Sequence, residues 1–278
     1  MSSPRRVTGR RRSRPQVERL HGRHVIAAAL GAGRRRLDRL LVRAGGVPRD
    51  LEPVIERAAE RGLPVVTLAG AELADLAGTD EVGLQGAVLE AGPLPVLSSI
   101  DDLVAQGAPE GHGRRGDAAS WVVAMDGVED PRNLGAVARV AEAAGAAGLL
   151  VTDRRSPPLG SAATRASAGA LERLPVCRIP NLARGLDALK GAGRWVVAAE
   201  ASAQTSLYAM PDRLLAGDLV VVLGAEGRGL RPSIVAAADH LVRIPMAGEV
   251  ASLNVATAAS VVLFELVRRS TAPGRSCE

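Results

Sequence analysis

Short runs of hydrophobic residues recur along most of the chain, and their spacing predicts alternating strands and helices. Beyond residue 119, apolar runs predict strands at 120–125, 147–152, 175–179, 194–199, 218–223 and 240–245. Amphipathic stretches between these runs predict helices at 133–145, 161–170, 181–190, 231–238 and 254–269. Because the strands are apolar on both faces, we expect an α/β fold, a parallel sheet with helices packed on both sides.

A shorter alternation of the same kind lies between residues 20 and 95. The pattern predicts helices at 21–30 and 50–61, the second capped by Asp50, and strands at 37–42 and 64–68. Alternating elements again imply helices packed on a sheet. We therefore expect a small α/β domain at 18–95 and a larger one at 119–270.

The segments outside these two domains differ from them in composition. Residues 1–17 form a basic arm that we expect to be disordered, residues 96–118 are predicted as a linker, and residues 271–278 form a tail. The linker contains Gly-His-Gly-Arg-Arg-Gly at 111–116, a formal match to the dinucleotide-binding fingerprint. That fingerprint needs a strand before it and a helix after it, so we interpret the match as chance.

The net charge of +5 comes from the arm. Residues 1–16 hold six arginines and no acid, whereas the rest of the chain has 29 basic and 30 acidic residues. In an RNA-binding protein such an arm adds phosphate attraction that weakens with salt. As a solvated segment it has no specific role, and the sequence leaves both interpretations open.

Cysteine and histidine usage excludes several classes of site. Cys177 and Cys277 lie a hundred residues apart, which excludes a disulfide framework and a cysteine-based zinc site and favours a reducing cytoplasm. The four histidines form no cluster with carboxylates, so we predict no metal. No apolar run reaches the roughly 18 residues of a membrane span, and we predict no membrane association.

Three turns near the C-terminus carry the candidate chemistry. They are Leu223-Gly-Ala-Glu-Gly-Arg-Gly229, Ile244-Pro-Met-Ala-Gly248 and Ser252-Leu-Asn-Val255. Each adjoins the end of a predicted strand or the start of a predicted helix, so the three can meet at one small-molecule pocket. The glycines let the backbone approach a ligand closely, whereas Glu226 between them is not needed for turning.

A fourth block, Asp130-Pro-Arg-Asn-Leu-Gly-Ala-Val-Ala-Arg139, lies upstream of these turns. Asp130-Pro131 is a turn signal, and Asn133 is predicted to cap the following helix. Arg139 falls in the second turn of that predicted helix. On these residues alone, Arg139 is an ordinary solvated or salt-bridged helix arginine.

The four blocks, in this order, resemble those of the SpoU-type (TrmH-like, SPOUT superfamily) RNA ribose 2′-O-methyltransferases, most of all those that modify a guanosine of 23S rRNA. The resemblance implies a parallel sheet with a C-terminal trefoil knot at 119–270, preceded by a small L30e-like α/β domain that binds the RNA substrate. It also implies S-adenosylmethionine as the cofactor and methyl transfer to a ribose 2′-oxygen in ribosomal RNA.

The resemblance assigns roles to individual residues. It places Arg139 at the target 2′-hydroxyl and has Asn133 orient the site, within a catalytic set of Asn133, Arg139, Glu226, Ser252 and Asn254. It implies cofactor contacts from Leu223, Gly224, Gly227, Ile244, Pro245, Met246 and Leu253. One position departs from the family's pattern, because Ala256 stands where a serine generally follows Asn-Val. That change removes a hydroxyl from this corner of the pocket.

The partners that the resemblance implies are RNA and a second copy of the chain. In the family, the C-terminal helix packs against the second copy and the RNA site is completed across the interface. The segment from Val255 to Val267 is apolar almost all round, as a helix buried on both sides is. The same analogy puts His21, Arg23 and His24 near the RNA, although we favour the simpler interpretation of polar residues at a helix start.

Two other functions stay open at this point. A tRNA ribose 2′-O-methyltransferase would carry the same motifs, usually with a shorter or different N-terminal extension. A non-catalytic RNA-binding protein of the same fold would share the architecture. The presence of Asn133, Arg139 and Glu226 together argues against loss of catalysis.

Overall fold

Two sheets, of four and seven strands, organise the molecule. The structure is a computed structural model that describes residues 16–46, 48–80, 84–106, 120–212, 214 and 217–270. Most of the predicted arm, the fingerprint-like segment at 111–116 and the tail lie outside the described residues. We refer below to the small unit, residues 18–91, and the large unit, residues 97–270.

The small unit is a mixed four-stranded sheet with helices on both faces. Its strands are β1 (Glu18–His21), β2 (Leu37–Arg43), β3 (Val65–Leu68) and β4 (Ala87–Ala91), in the spatial order β1-β4-β2-β3. Strand β4 pairs antiparallel with β1 and β2, and β2 pairs parallel with β3. Alternate strand residues bury against α1 (Arg23–Ala32) and α2 (Glu52–Glu60) on one face and α3 (Gly70–Ala77) on the other.

The large unit is built on a sheet in which every pairing is parallel. Its strands are β5 (Trp121–Asp126), β6 (Gly148–Thr152), β7 (Val176–Ile179), β8 (Trp195–Ala199), β9 (Thr205–Ser206), β10 (Leu219–Gly224) and β11 (His240–Arg243). Their spatial order is β7-β6-β5-β10-β8-β11-β9. Its helices are α4 (Ile100–Ala105), α5 (Pro131–Ala143), α6 (Ser161–Ala166), α7 (Ala170–Arg173), α8 (Leu182–Gly191), α9 (Pro232–Ala237) and α10 (Val255–Ser270).

The strand sequences explain why both faces of the large sheet are covered. Along β5, Trp121, Val123 and Met125 bury in one core with α5 and α10, whereas Val122 and Ala124 bury in a second core with α8 and α9. A strand with apolar residues at every position must bury both faces, because successive side chains point to opposite sides. The expected parallel α/β fold is confirmed.

Several elements differ from the sequence-based expectation. The helix predicted at 21–30 begins at Arg23, because residues 18–21 form β1. Asp50 does not cap α2; a 3-10 turn at Arg49–Leu51 precedes that helix, and the Asp50 carboxylate accepts a hydrogen bond from Arg23. The helix predicted at 161–170 is broken into α6 and α7, since Ala168 and Gly169 take left-handed backbone angles.

Part of the predicted linker is structured. Residues 100–105 form α4, which is capped by the Ser99 side chain and buries Leu103 against the large sheet. Leu97 also pairs with Cys177, beside β7. The first half of the predicted linker therefore packs as an element of the large unit.

The small unit packs directly on the large one through α1 and α7. Gly169 has φ of 86°, and a Cβ there would lie 2.6 Å from the Ala28 Cβ and 3.0 Å from the His24 carbonyl oxygen. Only glycine fits both the backbone angle and the close approach. Nearby, Arg165 donates to Nε2 of the buried His21 at 2.9 Å. His21 therefore contacts the other unit and is not available to RNA.

A buried ion cluster closes the same interface. The Arg35 side chain is fully buried and donates to both oxygens of Glu172, at 2.9 and 2.8 Å, and to Glu18 at 2.8 Å. Burial raises the pKa of Glu172 although Arg35 acts against this shift. Glu172 belongs to α7 and Arg35 to the small unit, so this cluster fixes one unit relative to the other.

Candidate functional site

The turn after β10 is stabilised by a backbone hydrogen bond and by one buried carboxylate. Gly229 N–H donates to the Ala225 carbonyl at 2.9 Å, and Gly227 and Gly229 both have left-handed φ angles, 76° and 62°. Asp126, buried at the end of the neighbouring strand β5, accepts from the Arg231 backbone N–H at 2.9 Å and from its Nε at 2.7 Å. These bonds fix both ends of the turn.

A cavity of about 330 Å³ lies at the carboxyl ends of β8, β10 and β11. Small-molecule sites in open parallel sheets occupy this edge, and the volume lies within their usual range. Its lining residues are Ala199, Glu200, Ala201, the whole turn from Leu223 to Gly229, Val242, Ile244, Met246, Ala251, Ser252, Leu253, Val255 and Ala258. The three C-terminal turns therefore meet at one pocket.

The structure places six of the seven predicted cofactor residues on this cavity. They are Leu223, Gly224, Gly227, Ile244, Met246 and Leu253. Pro245 does not line the cavity. Ile244 and Met246 both reach it, so Pro245 between them faces away, as alternate side chains of an extended segment do.

Three of the predicted catalytic residues form one hydrogen-bonded group beside the cavity. The Asn254 side-chain amide donates to Asn133 Oδ1 at 3.1 Å and to Glu226 Oε2 at 3.1 Å. Asn254 Oδ1 accepts from the Ala256 backbone N–H at 2.9 Å. Ser252, also predicted as catalytic, lines the cavity next to Glu226. The bond from the Ala256 backbone N–H does not depend on the side chain at 256, so alanine in place of serine leaves it intact.

Asn133 is not the cap of its helix. Helix α5 begins at Pro131, and its cap is Asp130, whose carboxylate accepts from the Arg132 N–H at 2.8 Å. The hydrogen bond from the Arg132 side chain lowers the pKa of Asp130 and keeps the capping group ionised. Because Asp130 satisfies the helix terminus, the Asn133 side chain is free to bond Asn254.

Arg139 does not reach this cavity in its own chain. Since α5 begins at Pro131, Arg139 lies in the third turn and not in the predicted second turn. It follows Asn133 by six positions, which sets the two side chains about 120° apart around the helix and about 9 Å apart along it. Arg139 is exposed and lines a different groove, between the small and large units.

Glu200 is a pocket residue that the sequence-based prediction missed. It follows β8 directly, lines the cavity, and its Oε2 would lie 3.4 Å from a Cβ at Gly229. Its Oε1 accepts from the Ser202 hydroxyl at 3.2 Å. The available signal was an acidic residue at the carboxyl end of a buried strand. With Glu226, it gives the pocket two carboxylates.

The described residues provide neither a metal site nor a membrane-spanning helix. Among those residues, no group of three or more His, Cys, Asp or Glu side chains could hold a metal ion. None of the helices that the structure describes is both long enough and apolar enough to cross a bilayer.

The fold and this pocket define a class, namely α/β proteins that bind a small molecule at the carboxyl edge of a parallel sheet. Comparison with known families narrows it. Residues 120–264 match the family described as SpoU rRNA Methylase. Residues 19–96 match the family described as RNA 2′-O ribose methyltransferase substrate binding. The chain belongs to the SpoU rRNA methylase family.

Individual relatives agree with this membership over nearly the full length. The chain is 35% identical to a 23S rRNA (guanosine-2′-O-)-methyltransferase of Pseudomonas putida, across 91% of this chain and 97% of the relative. A solved RNA 2′-O ribose methyltransferase superposes with a TM-score of 0.72 at 29% identity, covering 91% of this chain and 88% of the other. The AdoMet-bound rRNA methyltransferase of Sinorhizobium meliloti gives 0.72 at 25% identity, covering 92% and 88%.

Proposed function

We propose that this protein transfers the methyl group of S-adenosylmethionine to the ribose 2′-oxygen of a guanosine in 23S ribosomal RNA. The observation that carries the proposal is the hydrogen-bonded group of Asn133, Glu226 and Asn254 at the rim of the pocket. The 23S rRNA (guanosine-2′-O-)-methyltransferase relative supports the choice of substrate. A protein with this substrate acts in the cytoplasm.

The pocket suits a cationic nucleoside cofactor. Glu200 and Glu226 complement positive charge, and Leu223, Ile244 and Leu253 supply apolar walls for an adenosine. When bound, S-adenosylmethionine supplies an electrophilic methyl group. The pocket residues hold the cofactor and orient the ribose 2′-hydroxyl that accepts the methyl group. Among them, Asn254 is fixed by its two amide hydrogen bonds, one to Asn133 and one to Glu226. The AdoMet-bound relative supports this assignment.

Replacing Gly224 by alanine is expected to weaken cofactor binding by about tenfold or more. A Cβ at this position would lie 2.5 Å from the Gly229 carbonyl carbon and 2.6 Å from its oxygen. Backbone atoms cannot rotate away, so the turn must shift, at the 1–3 kcal/mol typical of overpacking. Titration calorimetry with S-adenosylmethionine measures the effect. Gly191→Ala is the control because nothing lies within 4 Å of its Cβ; equal affinities for both variants would contradict the close approach.

Each of the two units has its own role in the proposed function. The small unit, within residues 18–95, acts as an L30e-like domain that binds the RNA substrate, and the match at 19–96 supports this role. The methyltransferase domain spans 119–270, and its C-terminal segment is threaded as a trefoil knot. Residues 1–17 serve as a basic arm that adds phosphate attraction.

We also propose that the protein works as a homodimer in which Arg139 serves the pocket of the second copy. Within one chain Arg139 lines the groove between the two units, whereas Asn133 bonds Asn254 beside the cofactor pocket. Helix α10, which packs on α5, leaves the side chains of Thr257, Phe264 and Arg268 exposed on one stripe, with Val261 partly buried beside them. Phe264 is the only phenylalanine in the chain and is 48% exposed.

Phe264→Arg is expected to convert the dimer into a monomer at micromolar concentration. An aromatic side chain at the centre of an interface contributes 2 kcal/mol or more, about 30-fold in the dissociation constant, and a buried charge adds to the loss. Multi-angle light scattering gives the mass. Tyr208→Arg is the matched control, since Tyr208 is 56% exposed and lies outside α10. A dimeric Phe264→Arg protein, or a monomeric wild type, would reject this interface.

Mapping of 2′-O-methyl groups tests the function itself. Total RNA from cells with and without the gene is compared, and we expect one guanosine of 23S rRNA to lose its methyl group in the deletion strain. Complementation by the wild-type gene should restore it. Loss of a methyl group from a tRNA would establish the tRNA alternative, and no change in any RNA would indicate a protein without catalysis.

A further inference from the structure

A groove separates the small unit from the large unit beside α5. Its volume is about 630 Å³, and its walls come from α1 and α2 on one side and from α5, α7 and the turn before α7 on the other. We call it the arginine groove, after Arg57, Arg139 and Arg173, which line it. It shares no lining residue with the cofactor pocket.

The arginine groove carries an excess of positive charge. Arg173 donates to Glu142 at 2.6 Å, so these two charges balance. The side chains of Arg57 and Arg139 form no hydrogen bond or ion pair with any residue that the structure describes. Two unpaired guanidinium groups, one from each unit, therefore face the same groove. Such groups bind phosphate oxygens well because each presents several N–H donors in a planar fork.

The floor of the arginine groove is made of small residues. They are Ala27, Ala28, Gly31, Ala32, Ala143, Ala168 and Ala170. A floor without bulky side chains leaves room for a chain of sugars and phosphates between the arginines. No Phe, Tyr or Trp is among the described lining residues, and His24 is the one aromatic ring among them. These features suit a backbone more than a base.

We propose that the arginine groove holds the sugar-phosphate backbone of the RNA strand that presents the target ribose. The inference rests on the proposed function, because it takes Arg139 as the residue at the target. A strand that passes Arg139 would then continue along the groove toward Arg57 in the small unit. The RNA backbone would thus contact both units of one chain, while the target ribose enters the pocket of the other copy.

The groove chemistry alone would also suit an acidic peptide. RNA is favoured because Arg57 and α1 belong to the segment that matches a family of RNA substrate-binding domains. Arg139, at the other end, belongs to a methyltransferase domain. An occupant that joins these two ends is the substrate of the enzyme.

Charge reversal at Arg57 tests the contact without touching the catalytic set. With a protein-free 23S rRNA transcript, Arg57→Glu is expected to raise the dissociation constant about tenfold at low salt. It should also reduce the slope of log Kd against log salt concentration by about 0.7, the value for one phosphate on a single strand. The affinity for S-adenosylmethionine and the single-turnover rate at saturating RNA should not change.

Arg184→Glu is the matched control for this measurement. Arg184 is also an exposed helix arginine, but α8 covers the opposite face of the large sheet. Its variant is expected to show the wild-type salt slope. Equal dissociation constants and slopes for Arg57→Glu and the wild type would overturn the proposal, as would equal losses in the two variants.

Protection of a thiol tests occupancy directly. Ala143→Cys places a thiol on the exposed end of α5 in the groove, and Ala188→Cys places a control thiol on α8. Both variants also carry Cys277→Ser, so Cys177 is the one native thiol that remains. Cys177 is buried, and burial raises its pKa to about 11, so it does not react at neutral pH. The 23S transcript is expected to slow maleimide labelling of Ala143→Cys at least tenfold and to leave Ala188→Cys unaffected. Unprotected labelling, or a thiol at 143 that is unreactive without RNA, would refute the groove as the RNA path.

A ten-nucleotide RNA of mixed sequence separates failure of this inference from failure of the proposed function. If the protein methylates no RNA but this oligonucleotide still protects Ala143→Cys, the groove binds RNA and the assigned reaction is wrong. If 23S rRNA is methylated and neither RNA protects the thiol, the reaction stands and the groove proposal falls. Protection by an acidic peptide alone would likewise overturn it.

Discussion

Arg139→Ala is expected to slow single-turnover methyl transfer by about 100-fold or more while leaving S-adenosylmethionine affinity nearly unchanged. The scale is that of losing one transition-state hydrogen-bond donor. Cofactor affinity is expected to survive because Arg139 does not line the cofactor pocket of its own chain and its proposed contact in the second copy is with the ribose 2′-hydroxyl. The measurement uses saturating RNA, so that weaker binding in the arginine groove does not contribute.

The physical role we assign to Arg139 is that of a charged donor. A guanidinium is a hydrogen-bond donor with no free acceptor site, so Arg139 is not suited to abstract the 2′-hydroxyl proton directly. A protonated Arg139 can instead stabilise the developing alkoxide while a phosphate oxygen or water accepts the proton. Arg139→Lys keeps the charge and loses the planar fork, and it should retain a measurable part of the rate. A near wild-type rate for Arg139→Ala would make this residue an ordinary surface arginine.

Mixing two variants tests which copy Arg139 serves, provided that S-adenosylmethionine is kept low enough for Gly224→Ala, with its weaker cofactor binding, to have little activity alone. If each site is completed across the interface, a heterodimer of Arg139→Ala and Gly224→Ala has one intact site. Its pocket comes from the Arg139→Ala chain and its arginine comes from the Gly224→Ala chain. Random pairing makes half of the dimers mixed, each with one intact site, so about a quarter of the wild-type rate should return. If each pocket used its own Arg139, the mixture would show only the low activity of the two variants measured separately.

Arg35→Met is expected to destabilise the protein by about 3–5 kcal/mol at pH 7, the scale of breaking a buried ion pair. The change leaves Glu172, which is 1% exposed, without its main cation and beside Glu18. The pKa of Glu172 is already raised by burial and rises further in the variant. A carboxyl with a raised folded pKa loses stability as the pH rises through that pKa, so the deficit should be smaller at pH 5 than at pH 7.

Urea unfolding at both pH values measures this deficit. Arg36→Met is the control, because the neighbouring Arg36 pairs with Asp38 in an exposed bridge, typically worth less than about 1 kcal/mol. Adding Glu172→Met to Arg35→Met should recover much of the loss, since a pair replaced by apolar side chains of similar volume is often neutral. A single Arg35→Met loss below about 1 kcal/mol, or one that is equal at pH 5 and pH 7, would show that the cluster does not hold the units together.

The central strands of the large sheet, such as β5, β8 and β10, could be predicted because each is a continuous apolar run. Strand β1 was missed because Glu18-Arg-Leu-His21 has a single apolar residue, and its pairing with β4 is a long-range contact. Strand β9 has only two residues and depends on β11 for its existence. Helix α4 was not predicted because it lies in a segment whose Gly, Pro and charge content is typical of a linker.

The cofactor pocket could be predicted to the extent that its walls are close together in sequence. The three C-terminal turns are neighbours along the chain, and they do meet at the pocket. Glu200 joins them only because β8 lies beside β10 in the sheet, an order that periodicity does not reveal. The position of Arg139 likewise depends on where α5 begins, which Asp130 and Pro131 signal locally, and on how the two units pack, which the local pattern does not encode.

The packing of α1 on α7 determines what can be exchanged between relatives. A chimera that received only residues 18–95 from another protein would leave Glu172 facing a foreign surface without Arg35, and Gly169 against a helix not shaped for it. The transplant would need to carry residues 161–174 as well, although they lie in the middle of the methyltransferase sequence. The smallest interchangeable part of this protein is therefore discontinuous along the chain.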